Sequence, residues 1–154
     1  MLENLRRFSA LERPAQKLFL RALVTLPLVG LSLKLRGFAG TRSTLRKTVS
    51  PTAPQIVSDP LHQQIALTAH MVNAADRHGL VHPSCLVKSL TLWWLLGRQG
   101  ITSQLRVGVR KESGNLEAHA WVEREGMALN EPEERHRHYA AFDAALASLS
   151  EEGR

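Results

Sequence analysis

After Gly100 the apolar residues stop recurring at helical intervals and begin to alternate, so the chain can be neither all helix nor all sheet. Upstream, "CLVKSLTLWWLLGR" carries Leu86, Leu90, Trp93, Trp94 and Leu95 and predicts an apolar helix over Cys85–Arg98, closed by Gly97 and Gly100. Downstream, "SQLRVGVR" sets Leu105, Val107 and Val109 against Gln104, Arg106, Gly108 and Arg110, which predicts a strand. "KESGN" is a turn. "LEAHAWVERE" then alternates again, with Glu117, His119, Trp121 and Glu123 on one face and Ala118, Ala120 and Val122 on the other. Glu125-Gly126 predicts a tight turn into a third strand through Met127 and Leu129. Helices followed by an antiparallel meander define an α+β domain. "YAAFDAALASL" predicts a short closing helix.

Ahead of this body, Asp59 is a helix cap with Pro60 at the first position, and Gly79 ends that helix after Leu61, Ile65, Leu67, Ala69, Met71 and Val72. "SPTAPQIVSDP" holds three prolines and reads as a linker. From Glu12 to about Arg36 the pattern is helical, with Pro14 in the first turn and Pro27 dividing the segment. The expected organisation is an apolar, basic helical arm over 1–50, a linker over 51–60 and the α+β body over 61–154. The arm is apolar on more than one side, so it should pack on the body or on another protein. Its longest uncharged run, Ala22 to Leu33, falls short of the roughly 20 residues a membrane span needs. Arg21, Pro27 and Lys34 also argue against a span, and a cytoplasmic protein is expected. The net charge of +6 invites a nucleic-acid reading, but no aromatics interleave with Arg36, Arg42, Arg46 and Lys47, as base stacking requires. No nucleic-acid partner is expected.

The chain has one cysteine, which excludes an internal disulfide and Cys-rich metal sites. No metal and no cofactor is expected. Cys85 stands at a helix start, where unpaired backbone N–H groups and the helix dipole stabilise negative charge on sulfur. A nearby imidazole could take its proton. Of seven histidines, His119 is the strongest candidate, because it lies within a strand with small neighbours, Ala118 and Ala120. His62, His70, His78, His82, His136 and His138 lie on helices or loops, and a loop holds His82 less firmly than a strand would. A turn centred at Glu125 brings Glu131 back toward His119 as the acid that orients its ring, with Asn130 the second candidate. The same residues admit a plainer reading: Cys85 as a packed small hydrophobe, His119 as structural and Glu131 as a solvated charge.

The segment "CLVKSLTLWWLLGRQGITSQLRVGVRKESGNLEAHAWVEREGMALNE" resembles the core of the lasso-peptide B2 proteins, the transglutaminase-like cysteine proteases of lasso-peptide biosynthesis. The shared features are "CL..SL...WLL...GI...L..GV" and "AHAWVE..G..LN", over about Ser84 to Glu131. The resemblance implies a transglutaminase-like, papain-like core with the nucleophile at a helix N-terminus packed on an antiparallel sheet. It further implies a peptidase that frees the core of a precursor peptide from its leader before a separate asparagine-synthetase-like, ATP-dependent cyclase closes the ring. The family's nucleophile falls on Cys85, its histidine on His119 and its acid, usually aspartate, on Glu131, which is one methylene longer. Only the short arm precedes the body, so the resemblance is to the split form, which has no fused leader-recognition domain and works with a separate leader-binding B1 protein. The oxyanion would be held by the Cys85 N–H with His82 or Gln63 as second donor. Two other readings use the same residues: an acyltransferase in which an amine replaces water, and a non-enzymatic basic peptide-binding module.

Overall fold

A computed structural model of the chain describes residues 10–50, 55, 58–79, 83–132 and 139–141. Among these residues three helices, α1 (Arg13–Lys47), α2 (Asp59–His78) and α3 (Cys85–Arg98), precede four strands, β1 (Gln104–Glu112), β2 (Asn115–Arg124), β3 (Met127–Ala128) and β4 (Ala140–Ala141). The strands form one antiparallel sheet in the order β3-β2-β1-β4. The α+β class expected from the change of period is the class observed.

Pro27 does not divide α1; the helix runs through it. The proline is exposed, so water can pair with the carbonyl that its ring leaves unbonded. The break comes at Gly37, with φ 68° and ψ −175°, a conformation that costs a residue without a Cβ little. There the chain doubles back. Ser32 and Thr41 would be about 13 Å apart along a straight helix, yet their hydroxyls lie 2.9 Å apart. The first limb therefore ends at the expected Arg36, and a second, unexpected limb continues to Lys47.

The segment expected as an arm shares its core with the body. Ala22, Leu26 and Val29 of α1 pack in one cluster with Leu61, Ile65, Ala69 and Val72 of α2 and Leu90, Leu92, Leu95 and Leu96 of α3. Each such leucine, fully removed from water, contributes roughly 1.5–3 kcal/mol. α2 begins one residue earlier than expected, with Ser58 at its cap and Asp59 in its first turn; Gly79 ends it in an extended rather than left-handed conformation. α2 and α3 run antiparallel. Lys88 of α3 bonds Asp76 near the end of α2 at 3.0 Å, whereas Gln99, after the other end of α3, bonds Gln64 at 2.9 Å.

Two tight turns set the sheet. Ser113-Gly114 and Glu125-Gly126 all have positive φ, the signature of two-residue hairpins whose twist matches the strands. The first hairpin fixes the register from Gln104↔Glu123 to Glu112↔Asn115 and puts Gly108 opposite His119. Alternation then sends Leu105 and Val122 into the helical core, while His119 shares the other face with Trp121. β3 has only two residues, but Leu129 extends the pairing by donating to the Val122 carbonyl. The first residues of the segment expected as a closing helix form an edge strand: directly after Tyr139, Ala140 and Ala141 pair with Val109 and Gly108. Strand pairing overrides a helical composition there, because β1 offers an open edge to that segment. Residues 142–154 lie outside those described.

Candidate active site

The helix that starts at Cys85 is defined by its cap. Ser84 adopts an extended conformation and its hydroxyl accepts from the Val87 N–H at 3.4 Å, which leaves Cys85 as the first helical residue. Its thiol is free and part-buried. Four residues on, Ser89 is fully buried among leucines and donates to the Ala120 carbonyl at 2.9 Å. Cys85 lies on the same face of α3 as Ser89, four residues or about 6 Å nearer the N-terminus. This bond thus fixes the helix that carries Cys85 to the strand residue next to His119.

The hairpin at Glu125-Gly126 brings Glu131 to His119. His119 Nε2 lies 2.5 Å from Glu131 Oε2, with the two side chains only 13% and 6% exposed. The extra methylene of glutamate, relative to aspartate, does reach the ring. The other carboxylate oxygen, Oε1, is buried without a hydrogen-bond partner among the described residues. Bonding to the carboxylate engages Nε2 and leaves Nδ1 as the ring nitrogen that Glu131 does not hold. Asn130, the second candidate, points elsewhere. Its Oδ1 accepts from the Val122 N–H at 2.9 Å and its Nδ2 donates to Ser89 Oγ at 3.2 Å. Asn130 therefore braces α3, β2 and the segment that carries Glu131, and leaves the imidazole to its neighbour.

Aromatic rings hold the other side of His119. Tyr139 packs with its ring centroid 4.9 Å away and Trp121 stacks at 6.1 Å. Arg110 grips Glu117 through Nε and Nη2 at 2.8 and 2.7 Å and lays its guanidinium 4.9 Å from the Tyr139 ring. The Arg110 hydrogen bond, followed by one from Tyr139, holds the Glu117 carboxyl below the usual carboxylate range. Burial, and then the bond to Glu117, pushes the Tyr139 hydroxyl up. These ring-side contacts, and the Ser89 anchor, escape sequence reasoning. A serine on the core side of an apolar helix, one turn from the cysteine, is the signal available for Ser89. For Tyr139 there is none, since its segment reads as helix.

His119 and Glu131 are thus brought together, and Cys85 is placed on the helix bonded to the adjacent strand residue. No hydrogen bond joins Cys85 to His119; in unliganded active sites such bonds are commonly long and tighten on substrate. Gln63 cannot be the second oxyanion donor. It precedes Gln64, which sits at the C-terminal end of α3, about 20 Å along the helix from Cys85. His62, His70 and His78 are exposed on α2. His82, His136 and His138 lie outside the described residues. Among the described residues no group of three or more His, Cys, Asp or Glu side chains converges as a metal site. The family model of the transglutaminase-like superfamily matches residues 23–142, which takes in the first limb of α1 from Leu23 onward and all three candidate residues. No curated protein and no solved structure matches the chain.

Proposed function

The chain belongs to the transglutaminase-like superfamily, which includes cysteine peptidases and acyltransferases, and from that premise we propose that it is a leader peptidase, cleaving the precursor of a lasso peptide at the leader–core junction. The observation that carries this reading is the part-buried His119–Glu131 pair, whose histidine lies on the strand to which the Cys85 helix is bonded. In this mechanism Cys85 Sγ attacks the junction carbonyl and His119 Nδ1 takes the thiol proton. Glu131 holds the Nε2 proton and stabilises the imidazolium that forms. The free backbone N–H of Cys85 at the helix start faces the developing oxyanion. The tetrahedral intermediate collapses with loss of the core amine, which receives the proton from His119. Water, deprotonated by the same ring, then hydrolyses the thioester and releases the leader acid. No cofactor takes part in these steps. The "AHAWVE..G..LN" resemblance supports a precursor peptide as substrate, a separate leader-binding B1 protein to present it, an asparagine-synthetase-like cyclase to use the product, and a bacterial cytoplasm as the setting.

The test is cleavage of a precursor peptide, with its leader-binding partner present, followed by mass spectrometry. Cys85→Ala and His119→Ala should each abolish the leader and core products without changing the far-UV circular dichroism. Cleavage retained in Cys85→Ala would sink the mechanism. Leader products whose mass differs from the hydrolysed leader by that of an amine less one water would instead assign acyl transfer to the same residues.

A further inference from the structure

The first limb of α1 is apolar twice over. One side supplies Ala15, Leu18, Ala22, Leu26 and Val29 to the interior. The opposite side presents Leu20, Val24, Leu28, Leu31 and Leu35, spaced four, four, three and four residues apart, each between 49% and 75% exposed. That spacing draws one stripe along the helix, about 22 Å long. Isolated exposed leucines need no explanation, but an ordered row of five does.

Charge decides what covers it. Between Arg13 and Lys47 the chain has eight cations, Arg13, Lys17, Arg21, Lys34, Arg36, Arg42, Arg46 and Lys47, and no aspartate or glutamate. Arg13, Lys17 and Arg21 continue the stripe's side of the helix toward its N-terminus, and Lys34 and Arg36 flank its other end. All five are exposed, and none forms an ion pair among the described residues. A second copy is a poor partner, since a two-fold contact through this stripe would set the cations of one helix against those of the other. A bilayer surface carrying anionic lipid meets both demands at once: acyl chains for the leucines, headgroup phosphates for the flanking cations. By length and composition alone α1, Arg13–Lys47, could span a membrane, but spanning would strip Leu26 and Val29 from the core they share with α2 and α3.

We propose that the outer stripe of α1, Leu20 to Leu35, is a docking surface for an anionic membrane, on which the helix lies in the plane of the headgroups. This surface is independent of the peptidase reading. The experiment is co-sedimentation of the full chain with vesicles of phosphatidylcholine alone and of phosphatidylcholine with about a third phosphatidylglycerol. The full chain should bind the anionic vesicles at least about tenfold more tightly than the neutral ones. Leu28→Glu/Leu31→Glu should weaken binding about tenfold or more with an unchanged thermal midpoint. Lys17→Glu/Arg21→Glu should abolish the preference for anionic lipid. Failure to sediment with anionic vesicles overturns the proposal, as does equal binding by the Leu28→Glu/Leu31→Glu variant. A dimer that this variant dissolves, in a chain that ignores vesicles, assigns the stripe to a second copy and overturns it too. So does capture of an acidic protein by a chain that ignores vesicles.

Discussion

A buried carboxylate bonded to one imidazole nitrogen determines which nitrogen is left for proton transfer. In this protein Glu131 holds Nε2 of His119, so in the proposed mechanism Nδ1 is the nitrogen that serves the Cys85 thiol. Glu131→Gln keeps the size of the side chain but removes its charge and lets the amide donate to Nε2, which favours the wrong tautomer. Turnover of the precursor should fall by about 10²–10⁴ with KM little changed. A loss below about tenfold in single-turnover cleavage would reduce Glu131 to an auxiliary role. Tyr139 offers a second measurement at this scale, because it is the only tyrosine in the chain. Burial is the larger cause of its raised pKa and the Glu117 hydrogen bond the smaller. Phenolate absorbance should therefore appear only above the ordinary 10.0 in the folded protein and at that value in urea. Glu117→Gln should bring the folded value down only part of the way. Because the folded pKa is the higher one, the stability that this hydroxyl contributes is complete below the unfolded value and is lost as the pH rises through the folded one.

Helix α3 carries Cys85 at one end, and its far end shows how closely it is fitted. A Cβ added at Gly97 would lie 2.8 Å from Val49 Cγ1 and 3.0 Å from Cγ2. Val49 has little freedom to retreat, because the adjacent Thr48 accepts from Trp94 Nε1 and from Arg98 Nη1, both at 2.8 Å. Gly97→Ala gains up to about 1 kcal/mol of helix propensity but meets an overpacking cost of about 1–3 kcal/mol, so the clash wins. Urea unfolding should show a net loss of about 1 kcal/mol, which Val49→Ala in the same chain restores. The start of α3 at Cys85 is legible because a serine cap precedes an apolar helical run, and the hairpin register because Ser113-Gly114 and Glu125-Gly126 are turn pairs. Pro27 reads as a divider because local rules penalise it in any helix; the penalty is small on an exposed side of a helix held by its other face. Tyr139–Ala141 reads as helix because alanines favour one, whereas an open edge of β1 is a long-range fact that no local window contains. The same limit hides the Ser89–Ala120–Asn130 brace, whose members come from three segments.

At the scale of the whole molecule, the position of α1 decides whether the elements that carry Cys85 and His119 stand alone. Leu26 and Leu28 are neighbours on one helix and have opposite environments: Leu26 is 5% exposed within the core shared with α2 and α3, and Leu28 is 58% exposed on the outer stripe. If α1 were an appendage, truncating either would leave the unfolding of the body unchanged. As a wall of the common core, it predicts a clear asymmetry. Leu26→Ala should cost about 2–4 kcal/mol in urea unfolding, through lost burial and the cavity left behind. Leu28→Ala should stay within about 0.5 kcal/mol of the parent. The loss in Leu26→Ala should appear as one cooperative transition, followed equally by tryptophan fluorescence, which reports Trp93, Trp94 and Trp121, and by far-UV circular dichroism, which weights the helices. Two separated transitions would show that α1 unfolds independently of the elements that carry Cys85 and His119. A single one means that deletion of the residues before Gln55 removes part of the core that positions α3, and with it the cleavage that the proposed function requires.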